Sequence, residues 1–166
     1  MNPLAIFTLQ FILSVVVIAT LARWEIAPRL DQRPLKEALF WLTLPHAFRH
    51  IGLVFLVPGI VAEPLPDHFA LPAAYGDLTA GLLAFLALFA LRGGWRIAIP
   101  AVWIFNIVGT VDLVNALRQA EVVPDLGAVW YIPTFFVPLL LVTHYMIFVR
   151  LLRRTDRDRA ADALPT

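Results

Sequence analysis

Cysteine is absent from the 166 residues, which excludes disulfides, thiolate metal centres, iron–sulfur clusters and cysteine nucleophiles. Lysine occurs once, as Lys36 outside every long apolar run, so there is no amine to carry a retinal-type Schiff base inside a span. Serine also occurs once, as Ser14 within the most apolar stretch, and no nucleophile motif surrounds it. The four histidines are too few for a membrane fatty-acid hydroxylase. Charge is scarce: 15% of residues are charged, against about 25% in an ordinary soluble domain. The net charge of +1 offers no basic surface to nucleic acid.

What is abundant is apolar sequence. Sixty per cent of residues are hydrophobic, and the excess falls in runs of about twenty, the length of a helix crossing the hydrocarbon core. The pattern predicts an all-α, polytopic integral membrane bundle of five transmembrane helices at about 3–22, 38–62, 74–91, 97–117 and 126–149. These form a single transmembrane domain over 1–152, followed by a charged cytoplasmic tail over 153–166. Five spans leave no room for a soluble catalytic domain. The first run is read as a retained span and not a secretory signal. Met1-Asn2-Pro3 carries no positive side chain, and Ala19 to Ala22 is a poor cleavage match. Pro28 and Pro34 are expected to break the polar segment 23–37, and Pro64, Pro66 and Pro72 to make 63–73 a turn region. There is no internal repeat.

Basic residues set the expected orientation. Arg23, Arg29, Arg33, Lys36, Arg92, Arg96, Arg150, Arg153, Arg154, Arg157 and Arg159 fall on one side of a five-span topology, and only Arg118 falls on the other. That bias predicts an N-terminus outside and a C-terminus in the cytoplasm. Trp24 and Trp95 then mark the inner interface, and Tyr75, Trp130 and Tyr131 the outer one. The preference for arginine over lysine suggests a GC-rich genome and hence a bacterial inner membrane.

The informative residues are the polar ones inside the apolar runs, because a charge at the centre of a membrane helix costs about 2.5–3.5 kcal/mol and has to find partners. Span two carries His46, Arg49 and His50, span three Asp77, span four Asn106, Asp112 and Asn115, and span five Thr143 and His144, with Gln10 in span one. At about 1.5 Å per residue these fall into two depth layers. The inner layer holds His46, Asn106 and His144; the outer holds Arg49, His50, Asp112, Asn115 and Asp77. On an α-helix His46, Arg49 and His50, spaced i, i+3, i+4, share one face, and that face is expected to look into the bundle. Arg49 is expected to pair with Asp112 or Asp77. Gly109 is expected to admit a close neighbour, and Gly76, Ala80 and Ala84 form a small-residue face suited to tight packing. Pro45 leaves the carbonyl of Trp41 without its helical partner, which loosens the backbone beside the cluster.

The cluster of His46, Arg49, His50, Asp77, Asn106, Asp112, Asn115 and His144 supports several readings. Ionisable groups inside a membrane are the material of proton relays and solute sites, so binding or moving a small solute or proton is the leading one. The alternative is a redox or assembly protein holding haem or a metal through His46, His50 or His144, the first two having the i, i+4 spacing of a shared metal. The others are an intramembrane enzyme without a visible nucleophile, and a structural subunit whose polar groups merely fix packing. An enzyme is the less favoured reading. The expected partners are the lipid bilayer, a small-molecule ligand and further copies of the chain. Glu63, Asp67 and His68 are expected to lie in a solvated outer loop, with a rim around a cavity mouth as the alternative.

Overall fold

The computed structural model describes residues 2–62 and 64–162, and these are helical throughout apart from short connections, with no strand among them. Five helices are long and apolar enough to cross a membrane: α1 (Pro3–Asp31), α2 (Leu35–Leu56), α3 (Asp67–Arg92), α4 (Ala98–Leu117) and α5 (Gly127–Arg154). Glu63 of the expected outer loop and the side chains of Arg157 and Arg159 lie outside the described residues.

α1 starts on Asn2, whose side-chain oxygen accepts the amide of Leu4 at 3.0 Å, with Pro3 in the first turn where its missing amide costs nothing. No residue of Pro3–Leu21 is buried. Leu9, Ile12, Leu13, Val16 and Val17 are all about half exposed on a helix that is apolar around its whole circumference. Such a surface is stable only against more apolar material, and the helix is long and apolar enough to cross a membrane.

The loop expected over 23–37 is shorter than the prolines suggested. Pro28 does not break α1. The helix widens into a π turn over Ala22–Ile26, the amide of Ala27 reaching back to the carbonyl of Ala22, and then continues to Asp31. The wider turn makes room for a proline ring that would otherwise crowd the carbonyl four residues earlier. α5 repeats the device, with a π turn over Ile132–Phe136 placed two residues before Pro138. Only Pro34 marks a real break. Likewise α3 begins at Asp67 and keeps Pro72 inside the helix, so the turn region expected over 63–73 ends early. α2 ends at Leu56, short of the expected 62, where the extended Val57 precedes Pro58.

α2 changes character midway. Leu35–Thr43 is α-helical, and from Leu44, next to Pro45, the chain winds as a 3-10 helix to Leu56. Thirteen residues is long for this winding, which rarely exceeds one turn. At three residues per turn every third side chain falls in line. Thr43, His46, Arg49, Gly52 and Phe55 accordingly form one buried stripe, while Phe48, His50 and Ile51 face outward.

The stripe packs on α3, which meets it with Ala73, Ala74, Ala80, Ala84 and Gly81. A Cβ on Gly81 would lie 3.3 Å from the backbone nitrogen of His50, so the two backbones cross closely. α4 packs on α3, α5 on α4, and α1 lies outside this group of four against α5. One end of the bundle is filled by Leu39, Leu42, Leu91, Val102, Phe105 and Ile147, the other by Phe55, Phe69, Val122, Val123, Leu126 and Val129. The second end is closed by two backbone bonds, Ala62 to Asp125 at 3.1 Å and Ala128 to Ile60 at 3.0 Å. Gly127 permits this closure: its φ is +53°, and a Cβ there would meet Ile60 and Ala62 backbone atoms within 3 Å. The polar residues lie between the two apolar ends.

Candidate functional site

Arg49 is the centre. Its side chain is fully buried, the hardest group in the molecule to desolvate, and four of its five N–H groups have partners. Nε donates to Asp77 Oδ1 of α3 at 2.7 Å, and Nη2 to Asp112 Oδ2 of α4 at 2.5 Å. Nη1 donates to the Gly109 carbonyl at 3.0 Å and faces His144 Nε2 at 3.5 Å. A planar guanidinium fits this role because its donors diverge at fixed angles toward acceptors on three helices, which an ammonium does not offer.

Glycines make the space. A Cβ on Gly52 would collide with Asp77, and one on Gly76 with the Asp112 carboxylate. A Cβ on Gly109 would stand 2.8 Å from both Arg49 Nη1 and His144 Cε1. α2, α3 and α4 thus each give up a side chain where the ion triad sits. Gly76, expected to serve helix packing, instead clears room for a carboxylate.

A second group lies directly alongside. His144 Nδ1 is 2.7 Å from Asn106 Oδ1, and Asn106 Nδ2 donates to the His144 carbonyl at 3.3 Å. Since the amide oxygen only accepts, His144 carries its proton on Nδ1 and turns a lone pair to Arg49. His46 Nε2 is 2.9 Å from Thr143 Oγ1, whose own proton goes to the carbonyl of Leu139 or Leu140. The His46 proton is therefore on Nε2, and its Nδ1 is buried with no partner among the described residues, as is Thr43 Oγ1 one turn before it. The two imidazoles sit with centroids 4.1 Å apart, each against Phe105.

Of the residues expected in the cluster, His46, Arg49, Asp77, Asn106, Asp112 and His144 come together. His50 and Asn115 do not. His50 is exposed and, among the described residues, hydrogen-bonds only the Ala47 carbonyl at 3.1 Å. The α-helical spacing used to place it beside His46 and Arg49 does not apply, because four residues on from His46 is about 40° round an α-helix but about 120° round the 3-10 winding. Asn115 is exposed one turn beyond Asp112, and its carbonyl accepts from Gln119. Gln10 is not in the cluster either; its Oε1 accepts from Trp130 Nε1 at 2.6 Å and ties α1 to α5. His68 pairs with Glu121 at 3.5 Å on the surface.

The histidines are not arranged as ligands. A haem between His46 and His144 would have to pass between rings already in contact, and three of their four nitrogens are occupied by Thr143, Asn106 and the Arg49 guanidinium. Among the described residues no group of three or more His, Asp or Glu side chains is placed to hold a metal.

A cavity of about 60 Å³ opens onto Asp77 and Asp112 from the side away from the histidines. All five helices contribute to its wall, through Phe7, Phe55, Phe69, Leu113 and Val137 among others, and Gln119 borders it. Gln119 was not foreseen. Its Oε1 is buried without a partner among the described residues, while its Nε2 donates to Asn115. The charged groups that border the cavity are the two carboxylates, which accept hydrogen bonds when ionised, and the rest of its wall is mostly apolar.

A family model described as Domain of unknown function (DUF8737) matches residues 6–152. No curated protein and no solved structure matches the chain.

Proposed function

The chain belongs to that family, and from the geometry of its buried cluster we propose that it is a five-span integral membrane protein, N-terminus out and C-terminus in, that binds a proton or a small cation at Asp77 and Asp112 and passes it through the bundle. One observation carries the reading. A single buried guanidinium is set against two carboxylates, leaving one formal negative charge at a mostly apolar cavity. Inside an apolar shell an uncompensated charge is costly, so the site favours an occupant that donates hydrogen bonds and carries positive charge. About 60 Å³ is room for roughly two waters or one small cation, and too little for a drug-sized solute. The orientation follows the bias of basic residues, and a bacterial cytoplasmic membrane is the setting that the arginine preference suggests.

The test is flux in proteoliposomes containing a pH-sensitive dye, with sodium, potassium or ammonium as the counter-gradient. Passage of protons or of one of these cations above protein-free liposomes is expected. Asp112→Asn should reduce it to background, and His50→Ala should leave it unchanged. Background flux in the native protein, or equal flux in native and Asp112→Asn proteins, overturns the proposal.

A further inference from the structure

Further along the helices from the cavity, a groove of about 720 Å³ runs between α1 and α5. Its long part is apolar, lined by Phe11, Val15 and Ala19 of α1 and by Leu141, Val142 and Met146 of α5. Its end is basic, with Arg23 within the π turn of α1 and Arg150 and Arg153 on α5. Arg150 is paired with Asp31 at 2.8 Å and also donates to the Ala27 carbonyl. Arg23 and Arg153 have no ion pair among the described residues. Three guanidiniums against the one carboxylate of Asp31 leave a double positive charge at the mouth.

We propose that this groove holds an anionic phospholipid, its phosphate between Arg23 and Arg153 and one acyl chain along the α1–α5 seam. The dimensions fit. From Phe11 to Arg23, and from Leu141 to Arg153, each wall is about 18 Å long at 1.5 Å per residue. That is one leaflet's half of the roughly 30 Å hydrocarbon core, plus the headgroup level. The chemistry fits as well: guanidinium pairs recognise phosphate by parallel hydrogen bonds, and basic pockets between membrane helices at the cytoplasmic side suit anionic headgroups. α1 contributes no buried residue over Pro3–Leu21, and a lipid chain in the seam would give its inward side something to pack on. The inference rests on the five-span reading for its membrane setting, and it does not depend on ion passage.

The experiment is native mass spectrometry of the full chain in detergent, with phosphatidylglycerol or phosphatidylcholine of identical acyl chains added. The expected result is preferential retention of phosphatidylglycerol, lowered on the order of tenfold or more in Arg23→Gln/Arg153→Gln, since each basic residue near the surface contributes separately. Ala19→Trp, which fills the seam without touching a charge, should weaken both lipids. Both arginines are exposed, so the double variant is expected to remain folded, which size-exclusion and circular dichroism verify. Equal retention of the two lipids, undiminished retention in the double variant, or displacement by millimolar inorganic phosphate alone would each overturn the proposal, the last by showing a free-anion site. An Asp112→Asn protein that loses ion flux should keep its lipid preference. Loss of flux in the native protein with the preference intact would sink the proposed function alone.

Discussion

Arg49 is a residue that the molecule cannot replace piecemeal. Removing it leaves Asp77 and Asp112 facing each other in an apolar interior, and breaking a buried pair in this way costs about 3–5 kcal/mol. Arg49→Leu is therefore expected to lower the melting temperature in detergent and the yield of folded protein far more than Arg92→Leu, since Arg92 ends α3 at the surface. Equal losses would show that the guanidinium is not what holds the carboxylates. Arg49→Lys should rescue little, because a single ammonium cannot reach donors toward Asp77, Asp112 and Gly109 at once. The glycines give a complementary expectation. Gly76→Ala and Gly109→Ala add one methyl where a carboxylate or a pinned guanidinium already stands, and each should cost roughly 1–3 kcal/mol in thermal unfolding. A neutral result at both positions would mean that the triad relaxes freely. The residue types of the site were legible in the sequence, since charged and amide side chains in apolar runs stand out. The glycines were legible only as packing residues, because nothing in a linear sequence says which helix will bring a carboxylate opposite an absent side chain.

At the level of elements, the lesson lies in α2. The sequence shows His46, Arg49 and His50 together, and assuming 3.6 residues per turn places all three inward. The chain instead winds at three residues per turn, and the residues at 43, 46, 49, 52 and 55 line up. The stride of three was present in the sequence, and Pro45 was recognised as a disturbance, but the extent of the changed winding depends on what α3 and α4 offer to the stripe. An alanine scan from Leu44 to Leu56 should therefore show its largest drops in melting temperature at His46, Arg49, Gly52 and Phe55, with His50→Ala close to native. Drops recurring with a period near 3.6 and including His50 would refute the winding. The π turns before Pro28 and Pro138 were missed for a related reason. A proline announces strain, but the helix has two responses, to stop or to widen, and packing on both flanks decides between them.

For the whole molecule, five apolar runs of about twenty residues give the number and rough place of the helices, each long and apolar enough to cross a membrane. What they do not give is which helix stands apart. α1 has no polar residue aimed at the cluster, yet Phe7 walls the cavity and Gln10 holds Trp130. The basic bias makes a further prediction at this scale. A protease added to inside-out vesicles should remove a tag fused after Thr166, and one added to right-side-out vesicles should remove a tag placed before Met1. The reverse pattern would invert the topology and place the lipid groove in the other leaflet. Weakening the α1–α5 link by Gln10→Leu should expose the cavity wall and speed hydrogen exchange in α1, while the ion triad stays intact.

The winding of α2 has one more consequence, for changes in chain length. Because the buried stripe recurs in triplets, Leu44–Leu56 has a phase, much as a coding frame does. Inserting three residues between Leu53 and Val54 moves Phe55 along the axis and brings it back to the same side. Inserting one residue rotates everything after it by about a third of a turn, and Phe55 leaves the interior while Arg49 stays where it was.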